Sequence, residues 1–234
     1  YLSTNNGTSW TTLNNGLNVS SIRAFAVSGT KLFAGNFGCG AFLSTNNGTS
    51  WTAVNNGLTG KGLNVSALAV SGINLFAGTD NGVYLSTNNG TNWTAVNNGI
   101  TGGGLYVSAL AVSGTNLFAG TLRGVYFSTN NGTSWTAVNN GLTNFLFVTA
   151  LAVSGTNIFA GTNNGGVFLS TNNGTSWTAV NNGLTNTSVQ ALSVSGTNLF
   201  AGTYYSVYLS TNNGTSWTAI NNGLPSSVVY AFTV

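Results

Sequence analysis

The sequence contains almost no charge: only five of its 234 residues are Asp, Glu, Lys or Arg, whereas a typical domain is about 25% charged. It has no His and no Glu, and Asp80 is its one acidic residue. Glycoside hydrolysis by the usual mechanism needs two carboxyl groups, and a nucleophilic Ser or Cys needs a His base. Oxygen ligands from Asn and the backbone would hold only a weak Ca²⁺. We therefore predict no enzymatic activity, no cofactor and no metal site.

The basic residues are equally sparse, and they are dispersed over different parts of the chain: Arg23, Lys31, Lys61 and Arg123. Nucleic-acid binding requires several clustered Lys or Arg side chains to neutralise phosphates, so we predict no nucleic-acid partner. A surface so close to neutral has little charge repulsion to keep copies apart, which favours self-association. A coat of glycans is the alternative means of keeping such a surface in solution.

Cys39 is the only cysteine, which excludes an internal disulfide. We expect a half-buried thiol in a loop, with an intermolecular disulfide as the alternative. No apolar run approaches the roughly 18 residues of a membrane span, so the chain is expected to be soluble or held outside a membrane. Because it begins at Tyr1 without an initiator Met or a signal peptide, we expect a processed or incompletely represented protein.

The most prominent feature that is present is a tandem repeat. The string STNNGTSW, or a near copy of it, occurs six times at intervals of 40 to 42 residues; its Trp residues are Trp10, Trp51, Trp93, Trp135, Trp177 and Trp217. A period near forty makes the repeat the unit of architecture. We predict a single domain over residues 1–234, because all-β domains reach this length without splitting.

One repeat, residues 65–99, has the periodicity of strands. Four β-rich segments are separated by Gly- and Asn-containing turns, and they lie at 65–70, 75–79, 83–87 and 93–96. Asn and Gly supply the positive φ that tight hairpins require. The first segment is apolar on both faces, which predicts a buried strand. Four antiparallel strands in each period predict one blade of a β-propeller.

The count of repeats predicts an all-β propeller of about six four-stranded blades. Five are complete, and the sixth is split between residues 1–15, which supply a third and a fourth strand, and residues 228–234, which supply a first strand. No segment supplies its second strand. Either the represented chain is truncated, or a neighbouring molecule completes the seam by strand addition, or the array stays open.

The repeated string resembles the Asp-box, or BNR, repeat, whose pattern is Ser-x-Asp-x-Gly-x-x-Trp on the turn between a blade's third and fourth strands. Ser3, Gly7 and Trp10 match this pattern, as do their equivalents in the five later copies, but the Asp position holds Asn each time: Asn5, Asn46, Asn88, Asn130, Asn172 and Asn212. The resemblance implies a structural role for the box, and an Asn oxygen can still accept bonds from turn amides. We expect all six Trp side chains to pack between blades. Asp-box propellers include sialidases and glycoside hydrolases, but this chain lacks the acids those reactions need.

The sequence also contains ten Asn-x-Ser/Thr triplets, each a potential glycan acceptor. Six of them belong to the repeated string and are explained by turn geometry alone. The triplets begin at Asn6, Asn18, Asn47, Asn64, Asn89, Asn92, Asn131, Asn173, Asn186 and Asn213.

Function is expected on the face that varies between repeats, formed by the second-to-third-strand turns and the connectors between blades, because loops on a rigid scaffold commonly carry binding sites. The alternative is that these loops have drifted freely since duplication. Aromatic and charged side chains there could stack on sugars or contact another subunit; they are Phe37, Lys61, Asp80, Tyr106, Arg123, Phe145, Phe147, Tyr204 and Tyr205.

Together these features predict a non-enzymatic extracellular or cell-surface protein that self-assembles into a fibre, sheath or surface layer. The neutral faces, the incomplete blade and the near-identical repeats favour this function. Two alternatives stay open: a multivalent carbohydrate-binding lectin, in which repeated weak sites add avidity, and an assembly factor that docks on partner proteins. The last rests on fold resemblance alone.

Overall fold

The computed structural model describes residues 1–17, 19, 21–143, 147–224 and 228–232. Five four-stranded antiparallel sheets lie in these residues, each with its strands in sequence order. We call them blades 1 to 5. The chain forms two compact units: residues 1–96 contain blades 1 and 2, and residues 97–234 contain blades 3, 4 and 5.

The five blades have strands of nearly the same lengths in the same order. Blade 1 has β1 (Ile22–Ser28), β2 (Lys31–Asn36), β3 (Gly40–Ser44) and β4 (Thr52–Ala53). Blade 2 has β5 (Val65–Ser71), β6 (Asn74–Thr79), β7 (Gly82–Ser86) and β8 (Thr94–Ala95). Blade 3 has β9 (Val107–Ser113), β10 (Asn116–Thr121), β11 (Gly124–Ser128) and β12 (Thr136–Ala137). Blade 4 has β13 (Val148–Ser154), β14 (Asn157–Thr162), β15 (Gly166–Ser170) and β16 (Thr178–Ala179). Blade 5 has β17 (Val189–Ser195), β18 (Asn198–Thr203), β19 (Val207–Ser210) and β20 (Thr218–Ala219).

The prediction of four strands per repeat is confirmed, and blade 2 matches the four segments read from the sequence. Two 3-10 helices of four residues each, Gly60–Leu63 and Gly102–Leu105, lie in the connectors that precede blades 2 and 3. No helix among the described residues has the length and apolar character needed to cross a membrane.

The core of each blade lies in its second and third strands. In blade 2, β6 is buried from Leu75 to Thr79, and β7 is buried except for Leu85. Apolar side chains occupy both faces of these strands, as expected for a sheet covered on both sides. The first strand is less buried than predicted, because in β5 only Val65 and Ala67 are fully covered. It packs edgewise beside the neighbouring first strand, as β1 does beside β5, and this leaves its remaining residues half-exposed.

Within each unit, neighbouring blades meet through close contact between a glycine of one second strand and a valine of the next first strand. A Cβ at Gly35 would lie 2.6 Å from Val65 Cγ1, and a Cβ at Gly161 would lie 2.6 Å from Val189 Cγ1. Only glycine leaves room for this approach. The same relationship recurs at the end of the chain, where a Cβ at Gly202 would lie 2.7 Å from Val229 Cγ1.

Residues 228–232 therefore occupy the place of a first strand beside blade 5. The Val229 amide donates a hydrogen bond to the Thr203 carbonyl at 3.1 Å, and Phe232 lies 6.1 Å from Phe200 between ring centroids. At the other end, Leu2 and Thr11 form an antiparallel bridge with two 2.8 Å backbone hydrogen bonds, where a third and a fourth strand were predicted. That these two segments form one split blade stays a prediction. That residues 1–234 form a single domain also stays a prediction.

The prediction that all six Trp residues pack between blades is wrong for Trp10. The other five are buried, whereas Trp10 is 62% exposed. Each buried Trp lies against the repeat that precedes it, and Trp10 belongs to the first repeat of the sequence.

Candidate functional site

The six repeated loops, STNNGTSW and its near copy at 86–93, share one hydrogen-bond pattern. In the second loop the Asn46 Oδ1 accepts bonds from the Ser50 amide and the Ser44 hydroxyl, both at 2.9 Å, and the Ser44 Oγ accepts one from the Gly48 amide at 2.9 Å. The residue after each such Asn has a positive φ of 54° to 57°, which Asn tolerates better than most residues. These groups satisfy one another, so the loop is a structural turn.

The potential glycan acceptors fall into two groups. The second Asn of each repeated loop lies at the loop tip, exposed in every copy except half-buried Asn89. Outside this set, the Asn64 Nδ2 donates to the Asp80 Oδ2 at 2.7 Å, the Asn186 Oδ1 accepts from the Ser188 amide at 3.0 Å, and the Asn92 Oδ1 accepts from the Asn56 Nδ2. Asn18 lies outside the described residues.

A second recurring element, the Asn-Asn-Gly turn, follows each Trp by four residues. Its copies are residues 14–16, 55–57, 97–99, 139–141, 181–183 and 221–223. The first Asn clamps the entry to its own blade's third strand: Asn139 accepts from the Val125 amide at 2.7 Å and donates to the Arg123 carbonyl at 3.0 Å. Asn55 and Asn181 make the same pair of bonds in blades 1 and 4.

The rest of the Asn-Asn-Gly turn holds the Trp of the following blade. The Asn56 carbonyl accepts a hydrogen bond from the Trp93 amide at 2.8 Å, and the Trp93 Nε1 donates to the Val54 carbonyl at 2.7 Å. Gly57 has φ +97°, and a Cβ there would overlap the Trp93 carbonyl. We call this arrangement the Trp joint. Sequence reasoning treated the turn only as the end of a repeat, although its fixed distance from each Trp was a usable signal.

Variable turns and connectors are hydrogen-bonded to each other in blades 1, 3 and 4. Hydrogen bonds link the second-to-third-strand turns to the connectors: Phe37 to the Ser21 carbonyl at 3.0 Å, and Gly38 to the Leu63 carbonyl at 3.1 Å. Two further turns are linked in the same way, that of blade 3 by the pair Leu122–Tyr106 and that of blade 4 by the pairs Asn163–Phe147 and Gly166–Thr187. Blades 1, 3 and 4 thus each present a turn backed by connectors.

The predicted aromatic residues of blades 3 to 5 lie in two pairs. Tyr106 and Phe147 are half-buried and touch edge to face, with ring centroids 6.0 Å apart. Tyr204 and Tyr205 are exposed on the turn of blade 5, with centroids 6.3 Å apart. Phe145 lies outside the described residues.

The charged residues of these loops differ in burial. Lys61 and Arg123 are exposed, and Asp80 is half-buried. One Asp80 oxygen is bonded to Asn64, while the Oδ1 atom is buried without a partner among the described residues. Arg23, which the sequence did not assign to this face, lies over the Phe37 ring with its Cζ 4.7 Å from the centroid. Cys39 is exposed rather than half-buried, because it lies at the tip of the turn between Gly38 and Gly40.

Several apolar side chains are exposed in blade 1 and in residues 220–224. On blade 1, Phe25 is 65% exposed and Val27 is also exposed, whereas the equivalent Leu68 and Val70 of blade 2 are half-buried. After blade 5, Ile220 and Leu224 are exposed, whereas the equivalent Leu184 is buried.

Comparison with known proteins agrees with the blade architecture. An ancestral GH74 enzyme matches with a TM-score of 0.75 at 21% identity, over 94% of this chain and 33% of the enzyme. The extracellular domain of a hybrid two-component system from B. thetaiotaomicron matches with a TM-score of 0.70 at 17% identity, over 90% of this chain and 30% of that one. YCF48 bound to D1 peptide matches with a TM-score of 0.65 at 16% identity, over 88% of this chain and 70% of that one.

At these identities the likeness establishes the fold, and the chain spans about a third of the length of the first two proteins. The molecule is a β-propeller protein. A family model described as the DUF6242 beta propeller domain matches residues 100–234. The chain belongs to this family. No curated protein sequence matches it.

Proposed function

We propose that the chain is a non-catalytic extracellular propeller domain that self-assembles through its neutral faces. The observation that carries this proposal is the scarcity of charge, since only five of the 234 residues are charged. The exposed apolar side chains of Phe25 and Val27 on blade 1 support it, because exposed apolar surface commonly marks an interface.

The charge distribution supports association of like copies. With a formal net charge of +3 and only five charged residues, the surface offers little repulsion between copies. Extracellular placement is supported by the likeness to the B. thetaiotaomicron extracellular domain. The six exposed or half-exposed loop Asn side chains are candidate glycan acceptors for the same setting.

The proposal that the chain has no catalytic activity rests on its lack of acidic side chains. Asp80 is the only carboxylic side chain, and it is half-buried and bonded to the Asn64 amide. The GH74 likeness covers a third of that enzyme at 21% identity, and fold likeness alone does not carry an activity. The repeated loop is proposed to be an Asp-box in which Asn supplies the acceptor oxygen, because the Asn46 Oδ1 accepts the turn bonds that an Asp oxygen would accept.

Sedimentation velocity over a wide concentration range, together with negative-stain electron microscopy, tests self-assembly directly. We expect species several times heavier than the 23.8 kDa chain, and regular particles or filaments on the grid. A chain that sediments as a monomer at the highest concentration would reject the proposal. Intact-mass measurement of the same sample gives the mass of any attached glycan.

A second candidate function, binding of glycans or a protein partner by the variable face, is favoured by exposed Tyr204 and Tyr205. Two adjacent exposed aromatic rings suit stacking on a sugar. A glycan-array screen would compare the native chain with the Tyr204→Ala/Tyr205→Ala variant. Ile73→Ala, which truncates an exposed side chain on a first-to-second-strand turn, is the control. Saturable binding that only the double variant loses would support this function.

A further inference from the structure

The dipeptide Asn-Gly occurs fourteen times in the sequence: six times in the repeated loops, six times in the Asn-Asn-Gly turns, and at 81–82 and 164–165. Asn is a chemically labile residue, and it loses its side-chain amide most readily before glycine, which has no side chain to shield the next backbone nitrogen. The chain holds this dipeptide in two hydrogen-bond environments. They differ at the peptide unit that joins the Asn to the Gly.

In the repeated loops the glycine nitrogen of this dipeptide is bonded. The Gly132 amide donates to the Ser128 Oγ at 3.0 Å, and the Gly174 amide donates to the Ser170 Oγ at 2.8 Å. The same bond recurs in the other four copies. Gly132 and Gly174 are also buried. Because a backbone nitrogen must lose its proton before it can attack a carbonyl, a bonded and buried amide is a poor nucleophile.

In the Asn-Asn-Gly turns the same peptide unit is bonded at its other end. The carbonyl of the second Asn accepts the amide of the following Trp at 2.8 Å, in the second unit in the pairs Asn98–Trp135, Asn140–Trp177 and Asn182–Trp217. These three Asn residues and the glycines after them are exposed. Neither the Asn side chains nor the glycine amides form a hydrogen bond within the described part of the chain.

The Trp amide also favours ionisation of the nitrogen that the turn leaves unbonded. When the Gly99 amide loses its proton, the negative charge is shared with the Asn98 carbonyl oxygen, to which the Trp135 amide already donates. A donor placed where charge develops lowers the cost of forming that charge. In the loop, by contrast, the Asn131 carbonyl accepts no hydrogen bond from the described residues. The turn therefore exposes and activates the nitrogen that the loop protects.

We propose that Asn98, Asn140 and Asn182 are sites of spontaneous deamidation in the folded chain. At Asn98, the deprotonated Gly99 nitrogen attacks the Asn98 Cγ, the bond from Cγ to Nδ2 breaks, and the side-chain nitrogen leaves as ammonia with the proton that Gly99 lost. The resulting five-membered succinimide adds one water. Addition at Cγ gives Asp, and addition at the backbone carbonyl carbon gives isoaspartate, in which the main chain runs through Cγ. No oxidant or reductant is needed, and the reaction does not depend on self-assembly.

Both products change the molecule. Each event replaces a neutral side chain by a carboxylate, so that three events take the formal net charge from +3 to zero. Isoaspartate also adds one carbon atom to the main chain before Gly99, where a Cβ on the glycine would already lie 2.1 Å from the Trp135 carbonyl. Because the contact has no room for a longer backbone, isoaspartate weakens the Trp joint.

One copy of the turn differs in a way that predicts a slower reaction. In the first unit the Asn56 Nδ2 donates to the Asn92 Oδ1, which restrains the amide group that must leave. Position 92 holds Ser in the other five loops. We expect Asn56 to react more slowly than Asn98, and Asn92→Ser, which restores the residue of the other loops, to raise the rate at Asn56 to that at Asn98.

Incubation of chain produced without glycosylation, in mildly alkaline buffer, tests the proposal. Isoelectric focusing resolves successive events because the chain has so few charges, and electron-transfer fragmentation of the intact chain locates each site and distinguishes Asp from isoaspartate. We expect the three turn sites to react at least about tenfold faster than the loop sites of the same unit, the effect of about one hydrogen bond on a rate. The loop sites are Asn131, Asn173 and Asn213.

Two controls isolate the role of the fold. In guanidinium chloride the turn and loop sites should react at similar rates, because the dipeptide is the same. The folded variant Asn98→Gln/Asn140→Gln/Asn182→Gln should form little acidic product and keep its melting temperature during incubation, because Gln cannot close the five-membered ring. Circular dichroism before incubation checks that this variant is folded.

Equal rates at turn and loop sites in the folded chain would overturn the proposal. A folded chain that stays unmodified while the denatured chain reacts would overturn it as well, and so would acidic product that forms equally fast in the triple Gln variant. An aged native chain that contains isoaspartate at the turns and melts at its original temperature would show that the Trp joint is not weakened.

Discussion

Gly57 and Trp93, which belong to consecutive repeats, are in backbone contact so close that a side chain on Gly57 would overlap the Trp93 carbonyl. The contact unites the two recurring features of the sequence, the Asn-Asn-Gly turn and the Trp. Glycine is required here for two reasons, the positive φ of +97° and the lack of space.

Gly57→Ala should therefore be among the most destabilising single substitutions in the chain. We expect a loss of about 3 kcal/mol or more in the free energy of unfolding, since left-handed strain of about 1 to 2 kcal/mol adds to overpacking. Gly72→Ala introduces a similar backbone strain at φ +60°, but the space around it is open. Its loss of unfolding free energy should therefore come from the backbone strain alone. Urea denaturation of both variants measures the difference, and equal losses would contradict the Trp joint.

The indole hydrogen bond can be isolated by comparing two Trp residues. The Trp93 Nε1 donates to the Val54 carbonyl, whereas the Trp51 Nε1 is buried without a partner among the described residues. Trp93→Phe should cost about 1 to 2 kcal/mol more than Trp51→Phe, because only the former leaves a buried carbonyl unsatisfied. Chemical denaturation followed by circular dichroism gives both values. A larger loss for Trp51→Phe would argue against this assignment.

The two Asn residues of one turn should differ sharply in their tolerance of substitution. The Asn139 side chain makes two bonds that hold the entry to β11, whereas Asn140 is exposed and contributes its carbonyl. We expect Asn139→Ala to cost about 2 to 3 kcal/mol and Asn140→Ala to cost under about 0.5 kcal/mol. Thermal melting of the pair provides the measurement, and similar melting temperatures would refute the clamp.

The repeated loop should accept an acid in place of its first Asn. An Asp at position 46 keeps the oxygen that accepts from the Ser50 amide and the Ser44 hydroxyl, and a charged acceptor strengthens such bonds. The Ser50 hydroxyl, which accepts from the Asn46 Nδ2 at 2.9 Å, can rotate to donate to the new carboxylate. Asn46→Asp should therefore match or exceed native stability at pH 7, whereas Asn46→Ala should lose about 1 to 2 kcal/mol. Denaturation at pH 7 distinguishes the two. Equal losses in both variants would show that the oxygen has no role.

The local structure of a repeat could be predicted from sequence because it depends on neighbouring residues. Alternating β-formers and Asn-Gly pairs locate the strands of blade 2, and Asn47 and Gly48 have the positive φ that their residue types favour. Burial of Trp93 follows from its size and apolar character. These features need no knowledge of what lies beyond one period.

Contacts between repeats could not be predicted in the same way. The Trp joint depends on how two blades pack, which local propensity does not encode, and the Asn-Asn-Gly turn reads as an ordinary turn. Trp10 and Trp51 have almost the same local sequence and opposite burial. Tyr106 likewise pairs with Phe147, which lies 41 positions further along the chain, and this contact depends on how blades 3 and 4 pack.

The Trp joint also bears on how such a chain can change in length. Because each joint uses only the turn of one repeat and the Trp of the next, inserting or deleting one whole period recreates a joint of the same kind and disturbs no other. Copy number is thus uncoupled from the stability of any single junction. Near-identical tandem segments of this sort can expand or contract by unequal crossing-over, and every product of whole periods would inherit a working interface.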